Sequence, residues 1–303
     1  MPITEPSLEP DLRLAVALDT ALRIILADMA SIRNTGAVLN LGSINATGSD
    51  TSRIRFAGLD GTDAFSTITP DGTAVTESAL VDASADIAVV RGAIMREITD
   101  LATLTGFSND INPARLAASM AGEYEKYFNQ LVCAAVATFG TDVGSSGVDM
   151  SVDDYFDALF TLELASVPGP YFCLLAPVQL ANLQESLRAE GGSVQWMPGT
   201  AAMLQIKGQG YAGSYLGVDV FKSSDVTTTA GNRDGGMWGL GAIGYKTGSM
   251  APPIGAVVTS PNSEIVVEFN RNAAAGITEI VGNAYVGVGL IEDLRGVGIV
   301  TDA

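Results

Sequence analysis

The feature that most constrains this chain is one long helical segment. Asn112 suits an N-cap, Pro113 suits the first helical position, and Gly140 suits the position just past a helix end. Between them Leu116, Met120, Tyr124, Tyr127, Leu131 and Ala135 hold an apolar stripe at helical spacing. The spacing predicts one helix over 113–139, which at ~1.5 Å per residue is roughly 40 Å long. That exceeds the usual globular helix and predicts a structural backbone for an elongated body.

The segments on either side of it differ in character. Residues 10–33 read as a helix through Leu12, Val16, Leu22, Leu26 and Met29, and Gly36 breaks it. From Ala37 to Thr69 come short strand-like runs, AVLNLGSIN, SRIRFAG and AFSTIT, separated by turn clusters. With so few large apolar residues this stretch cannot form a core, so it reads as a long hairpin that leans on something else. Asp86 to Val90 reads as a strand, and Ile94, Ile98 and Leu101 as a short helix ending near Gly106. Beyond Gly140 a flexible linker, GTDVGSSGVD, leads to Ser151. Ser151 is expected to cap a helix carrying Tyr155, Phe156, Leu159, Phe160 and Leu162. A buried strand, YFCLLA, and a helix from Pro177 to Glu190 follow. The remainder is strand-like: YLGVDVFKS, GMWGLGAIGYKT, GAVVTS, EIVVEFN, ITEIVGNAYVGVGL and GVGIVT. Helices and strands in this order make an α+β protein.

Composition removes several function classes. The 303 residues suffice for one large domain or two ordinary ones. A formal charge of −18 argues against gripping nucleic acid through its phosphates. The most apolar early stretch, Leu12 to Met29, is interrupted by Arg13, Asp19, Arg23 and Asp28, so it reads as no membrane span. Glu5 and Glu9 open the chain where a secretory signal would be basic. Histidine is absent, which removes Ser-His and Cys-His catalysis and His-ligated metals together. Cys133 and Cys173 lie in the apolar runs LVCAAV and YFCLLA, where cysteine acts as a small buried hydrophobe. A mean hydropathy of +0.29 fits either a protein hiding surface against copies of itself or an Ala- and Gly-rich globule.

The remaining chemical candidates have simpler explanations. Gly208-Gln-Gly210-Tyr-Ala-Gly213 matches a dinucleotide pattern, but a strand-like run follows where a helix is required. Asp149, Asp153, Asp154 and Asp157 lack the ligand order of a calcium loop, and acids in a first helical turn oppose the helix dipole favourably. Asp60 and Asp63 read as turn residues. No catalytic, cofactor or metal site is expected. A hydrolase using two acids far apart in the chain stays open as the least favoured alternative.

The order of elements resembles the tailed-bacteriophage major capsid protein, with its Hong Kong 97-type fold. The C-terminal third carries the resemblance most clearly. GMWGLGAIGYKTG is similar to that family's glycine-rich late axial strand, and EIVVEFNRNAAAGITEIVGNAYVGVGLIEDLRGVGIVTD to its closing run of strands. The resemblance implies an N-terminal arm over 1–35 and an extended loop over 36–72. It implies a peripheral domain over 73–150 and 262–294, with the 113–139 helix as its spine, and an axial domain over 151–261 and 295–303. It further implies self-assembly into hexamers and pentamers, an icosahedral shell around double-stranded DNA bound without sequence preference, and portal and scaffolding partners. The location implied is the virion, assembled in the host bacterial cytoplasm, with no membrane. With only a short arm before the hairpin, the scaffold is expected to be a separate protein or absent. No lysine lies in 36–72, so the family's Lys–Asn cross-links are not expected. An encapsulin-like compartment enclosing a cargo enzyme shares the fold and is the nearest alternative. Arg53 and Arg55, two positions apart on a strand and so on one face, are the candidate subunit-interface residues. Pairing with acids of the same hairpin is the competing expectation.

Overall fold

The computed structural model describes residues 32–44, 49–57, 82–99, 113–189, 196–208, 210–248, 257–258 and 265–302. Its early strands are β1 (Leu39–Ser43), β2 (Thr51–Ala57), β3 (Asp82–Ala88), β4 (Val90–Thr99) and β5 (Asp142–Val143). The middle of the chain adds β6 (Tyr171–Leu175), β7 (Met197–Pro198), β8 (Tyr211–Tyr215), β9 (Val218–Lys222), β10 (Thr228–Thr229) and β11 (Asn232–Gly239). Last come β12 (Ile243–Gly248), β13 (Val257–Val258), β14 (Ile265–Asn272), β15 (Ile277–Leu290) and β16 (Gly296–Asp302). The helices are α1 (Pro113–Val136), α2 (Val152–Leu164), α3 (Pro177–Ala189) and α4 (Ala201–Lys207).

One sheet runs β1-β12-β15-β14-β13, with β4 also paired to β15. Its axis is β15, which at ~3.4 Å per residue is nearly 50 Å long and lies under α1. The second sheet runs β5-β16-β11-β6-β9-β8-β7, with β10 on β11. The third is the two-stranded ribbon β2–β3.

The spine helix forms as expected but is shorter and rotated. It ends at Val136, and two tight turns, Thr138 N–H to Ala135 and Phe139 N–H to Val136, close it before Gly140. Gly140 does not stop the helix. Its N–H donates to the Asp293 carboxylate at 2.8 Å, and a Cβ there would sit 2.6 Å from that carboxylate. Met120, Tyr124 and Ala135 of the expected stripe are buried, whereas Leu116, Tyr127 and Leu131 are half-buried. The buried line runs one position over, through Ala117, Ala121, Phe128, Val132 and Val136. Asn112 lies outside the described residues.

Several local expectations are corrected. The short helix around Ile94 and Ile98 is the strand β4, paired antiparallel with β15 from Val90↔Val286 to Thr99↔Ile277. A four-residue spacing satisfies a helix turn and two strand repeats equally, and the open edge of β15 decides between them. The loop's returning strand is β3, which lies beyond the expected limit at 72, and β1 is not part of the hairpin but pairs parallel with β12. AFSTIT and residues 10–31 lie outside the described residues; Arg33–Thr35 form a 3₁₀ turn, and Gly36 leaves it at φ +78°. The presumed linker carries β5, paired parallel with β16. GMWGLGAIGYKT is two strands in two sheets, so the chain crosses between them at Leu240–Ala242 rather than near 261.

Two cores fill the molecule. α1 packs across the first sheet, where Phe128 meets Tyr245 edge-on at 5.3 Å, and onto one face of the second, where Trp238 is fully buried. The other face of the second sheet is covered by α2 and α3 through Tyr155, Leu162, Leu183 and Leu187. Ser151 caps α2 as expected, in a full capping box with Asp154.

Candidate assembly surface

The ribbon β2–β3 has almost no interior. Arg53 stands opposite Asp86, Arg55 opposite Ser84, and Ile87 is its one buried hydrophobic residue among those described. Ile87 sits at the base, packed against Gly289, while a Cβ on Gly287 would lie 2.1 Å from the Ala88 carbonyl oxygen. The glycines of VGVGL therefore let the ribbon cross the long strand β15 at contact distance. Ser52 accepts a hydrogen bond from Lys246, and the Val89 N–H donates to the Asp50 carbonyl at 2.9 Å. Above that base the described residues of the ribbon are joined by the β2–β3 backbone ladder and by one side-chain pair.

The structure separates the two arginines that the sequence paired. Arg53 forms a bidentate contact with Asp86, 2.9 Å from each nitrogen used, with both side chains about half or more exposed. The hydrogen bond and charge raise the Arg53 pKa, and the same hydrogen bond holds the Asp86 carboxyl below its ordinary value. The local partner is thus Asp86; Asp60 and Asp63 lie outside the described residues. Arg55 is exposed and has no hydrogen-bond or ion-pair partner among the described residues.

The chain is tied down at Arg33 and Ala37. Arg33 donates to Glu125 of α1 at 2.8 Å, with both side chains under a tenth exposed, and its guanidinium lies over Tyr124 and Phe128. Trp238 donates its indole N–H to the Ala37 carbonyl at 2.8 Å. Sequence reasoning missed both anchors, because their partners lie 92 and 201 positions away.

The chemical candidates resolve into structure. Gly208 ends α4 and β8 begins at Tyr211, so the glycine motif runs helix to strand, the reverse of a dinucleotide turn. Asp154 closes the α2 capping box and Asp149 accepts from Asn182 at 2.9 Å. Among the described residues no group of three potential ligands could hold a metal. Both thiols are buried, and burial pushes Cys133 up to about 11 and Cys173 further up. Asp142 is raised too, chiefly by burial and then by the charges of Asp234 and Asp293.

No protein-family model matches the chain, and no curated protein does. Solved structures match it almost end to end. The capsid of Ralstonia phage GP4 gives a TM-score of 0.60 over 91% of this chain and 90% of its own, at 10% identity. A Mycobacterium phage Che8 structure gives 0.59 over 89% and 91%, at 14% identity. This is the Hong Kong 97-type capsid fold. A holo-SrpI encapsulin complex from Synechococcus elongatus PCC 7942 shares it, with a TM-score of 0.57 over 89% and 86% at 13% identity. Within that fold α1 packs on β15, while the second sheet and the β2–β3 ribbon are sheets of their own.

Proposed function

We propose that the chain is a shell subunit, the major capsid protein of a tailed bacteriophage. In this reading it self-assembles into hexamers and pentamers that close an icosahedral head around double-stranded DNA. The observation that carries it is the shared fold over about nine-tenths of the chain and of the phage capsids it matches. The coreless ribbon supports it from within the molecule, since an extended polar projection gains its order by lying across a neighbour. The role is structural and not catalytic, which fits a chain without histidine whose two thiols are buried and protonated. At −18 the subunit retains packaged DNA by confinement rather than adhesion, and portal and scaffolding proteins are its further partners. It is assembled in the host cytoplasm and resides in the virion.

The proposed division is an arm (1–35), an extended loop that follows β1 and ends with β3, a peripheral domain whose sheet includes β1, β12 and β13, and an axial domain. Arg53 and Arg55 are proposed as interface residues, with Arg55 the cation available to a neighbour and Arg53 stiffening the ribbon through Asp86. The match to an encapsulin supports a second reading, a compartment around cargo protein.

Electron microscopy of the purified protein tests the shell: closed particles are expected, and a clean 31.2 kDa monomer at every concentration overturns it. Particles recovered from the native source with DNA inside favour the phage head, and particles filled with an enzyme favour the compartment. The double reversal Arg53→Glu with Arg55→Glu should leave circular dichroism unchanged while closed shells are lost or become salt-sensitive.

A further inference from the structure

Two sets of exposed apolar side chains on the second sheet's domain stand apart from scattered ones such as Val148, Val178, Leu216, Leu240 and Leu294. On α2, Phe156, Phe160 and Leu164 lie one turn apart and are 43%, 62% and 74% exposed, although Tyr155, Leu159 and Leu162 of the same helix are buried. At the far edge, Met197 of β7 is 65% and Ile206 of α4 73% exposed. Single exposed hydrophobics are ordinary, but rows of them on one face mark contact surfaces.

The two groups lie on opposite faces of one sheet. α2 packs on the face that carries Val218 and Val220. α4 is held to the other face, where Lys207 reaches Asp219 at 2.6 Å, and successive residues of β9 point to opposite sides. α4 also touches the Arg33–Thr35 turn, on the side of the α1 core.

Their charge differs as well. The α2 ridge is flanked by exposed Asp153, Asp157 and Glu163, and no lysine or arginine occurs anywhere in 127–187. Residues 191–218, which contain β7 and α4, hold no aspartate or glutamate, and their one charge is Lys207. Two α2 ridges meeting face to face would oppose like charges, which is costly at an interface. The β7–α4 edge, whose neighbouring acid Asp219 is already paired with Lys207, accepts the ridge at less cost. Two different surfaces on opposite faces make a head-to-tail contact, the kind that closes into rings when the rotation permits.

We propose that the α2 ridge of one subunit docks on the β7–α4 edge of the next copy, forming the ring contact. The inference rests on the shell reading and names the surfaces that would carry it. Phe160 and Ile206 are the central residues, and the acids beside Phe160 set the direction of the contact by excluding ridge-to-ridge pairing.

The test uses two full-length variants, Phe160→Asp and Ile206→Asp, each checked for native circular dichroism and melting. If Phe160→Asp fails to fold, Phe160→Ser takes its place, and Ile206→Ser likewise for Ile206→Asp. Each variant alone should lose rings and shells in light scattering. A one-to-one mixture still has one intact ridge and one intact edge, so it should give dimers of twice the 31.2 kDa chain mass that grow no further. Shells from either folded variant alone overturn the contact, as does a mixture that stays monomeric. The unaltered chain run in parallel separates the two readings. If it forms no particles, the shell reading falls and the contact with it; if it forms them and a variant does too, only the contact falls.

Discussion

The second sheet and the β2–β3 ribbon are both antiparallel β-structure in large part, yet they are held together in opposite ways. The sheet is covered on both faces by its own chain. Gln179 of α3 is fully buried within it, accepting from the Ala176 N–H at 2.9 Å and donating to the Arg233 and Ile299 carbonyls and the Thr301 hydroxyl. The ribbon has one buried hydrophobic residue among those described, Ile87, and its Arg53–Asp86 pair faces solvent. Folding stability is therefore lodged in the sheet and not in the ribbon. Damage to the sheet or spine should unfold the subunit, whereas damage to the ribbon should leave the subunit folded.

The largest expected effect is Val132→Asp, which puts an unpaired carboxylate at a fully buried point of α1 and should cost about 4 kcal/mol or more. Leu131→Asp, one position over and half-buried, should cost clearly less, because its carboxylate can turn to water. Urea unfolding of both variants checks this, and equal losses would mean that the helix is not rotated as described.

Gln179→Leu keeps the volume but strands a backbone N–H and two carbonyls inside the sheet, for an expected loss of about 2–4 kcal/mol. A melting temperature matching the parent would show that the hub is dispensable. Gly287→Ala probes the junction between the two regions. Its methyl group meets the Ala88 carbonyl, so the ribbon base must shift, at about 1–3 kcal/mol. Hydrogen exchange should quicken at the Val89 amide while the second sheet's amides keep their protection; slowing there, or loss everywhere, would contradict the division.

The smallest effect concerns Asp86. Its carboxyl is held below the ordinary value of 3.8, so the stabilisation from Arg53 is present above that value and disappears as pH falls through the lowered one. NMR titration should show a depressed midpoint that Arg53→Gln returns to about 3.8. Because the pair faces solvent, global stability should barely change, and high salt should weaken the shift.

Much of the α+β order was legible from local rules. ITEIVGNAYVGVGL coincides with β15, YFCLL with β6, and Ser151 caps α2, because strand alternation, an apolar run and a capping serine are properties of neighbouring residues. The errors fall where a partner distant in sequence decides. Ile94 and Ile98 fit either period, and the free edge of β15 made them strand. GMWGLGAIGYKT looks like one run, but Leu240–Ala242 turn it into a different sheet. Arg53 and Arg55 were rightly placed on one face, yet the register with β3 gave a partner to only one of them.

By itself the sequence determined most of the element types, the long spine, the lack of histidine chemistry and a charge unsuited to gripping DNA, since each follows from composition or from spacing within a few turns. The tertiary structure alone decided strand pairing, helix rotation, the anchoring of the arm by Glu125 and Trp238, and which apolar residues of α2 stay uncovered. Those outcomes depend on contacts between residues far apart in the chain. No local pattern encodes which of several suitable surfaces will meet, because that choice is made by the whole set of surfaces competing to be buried at once.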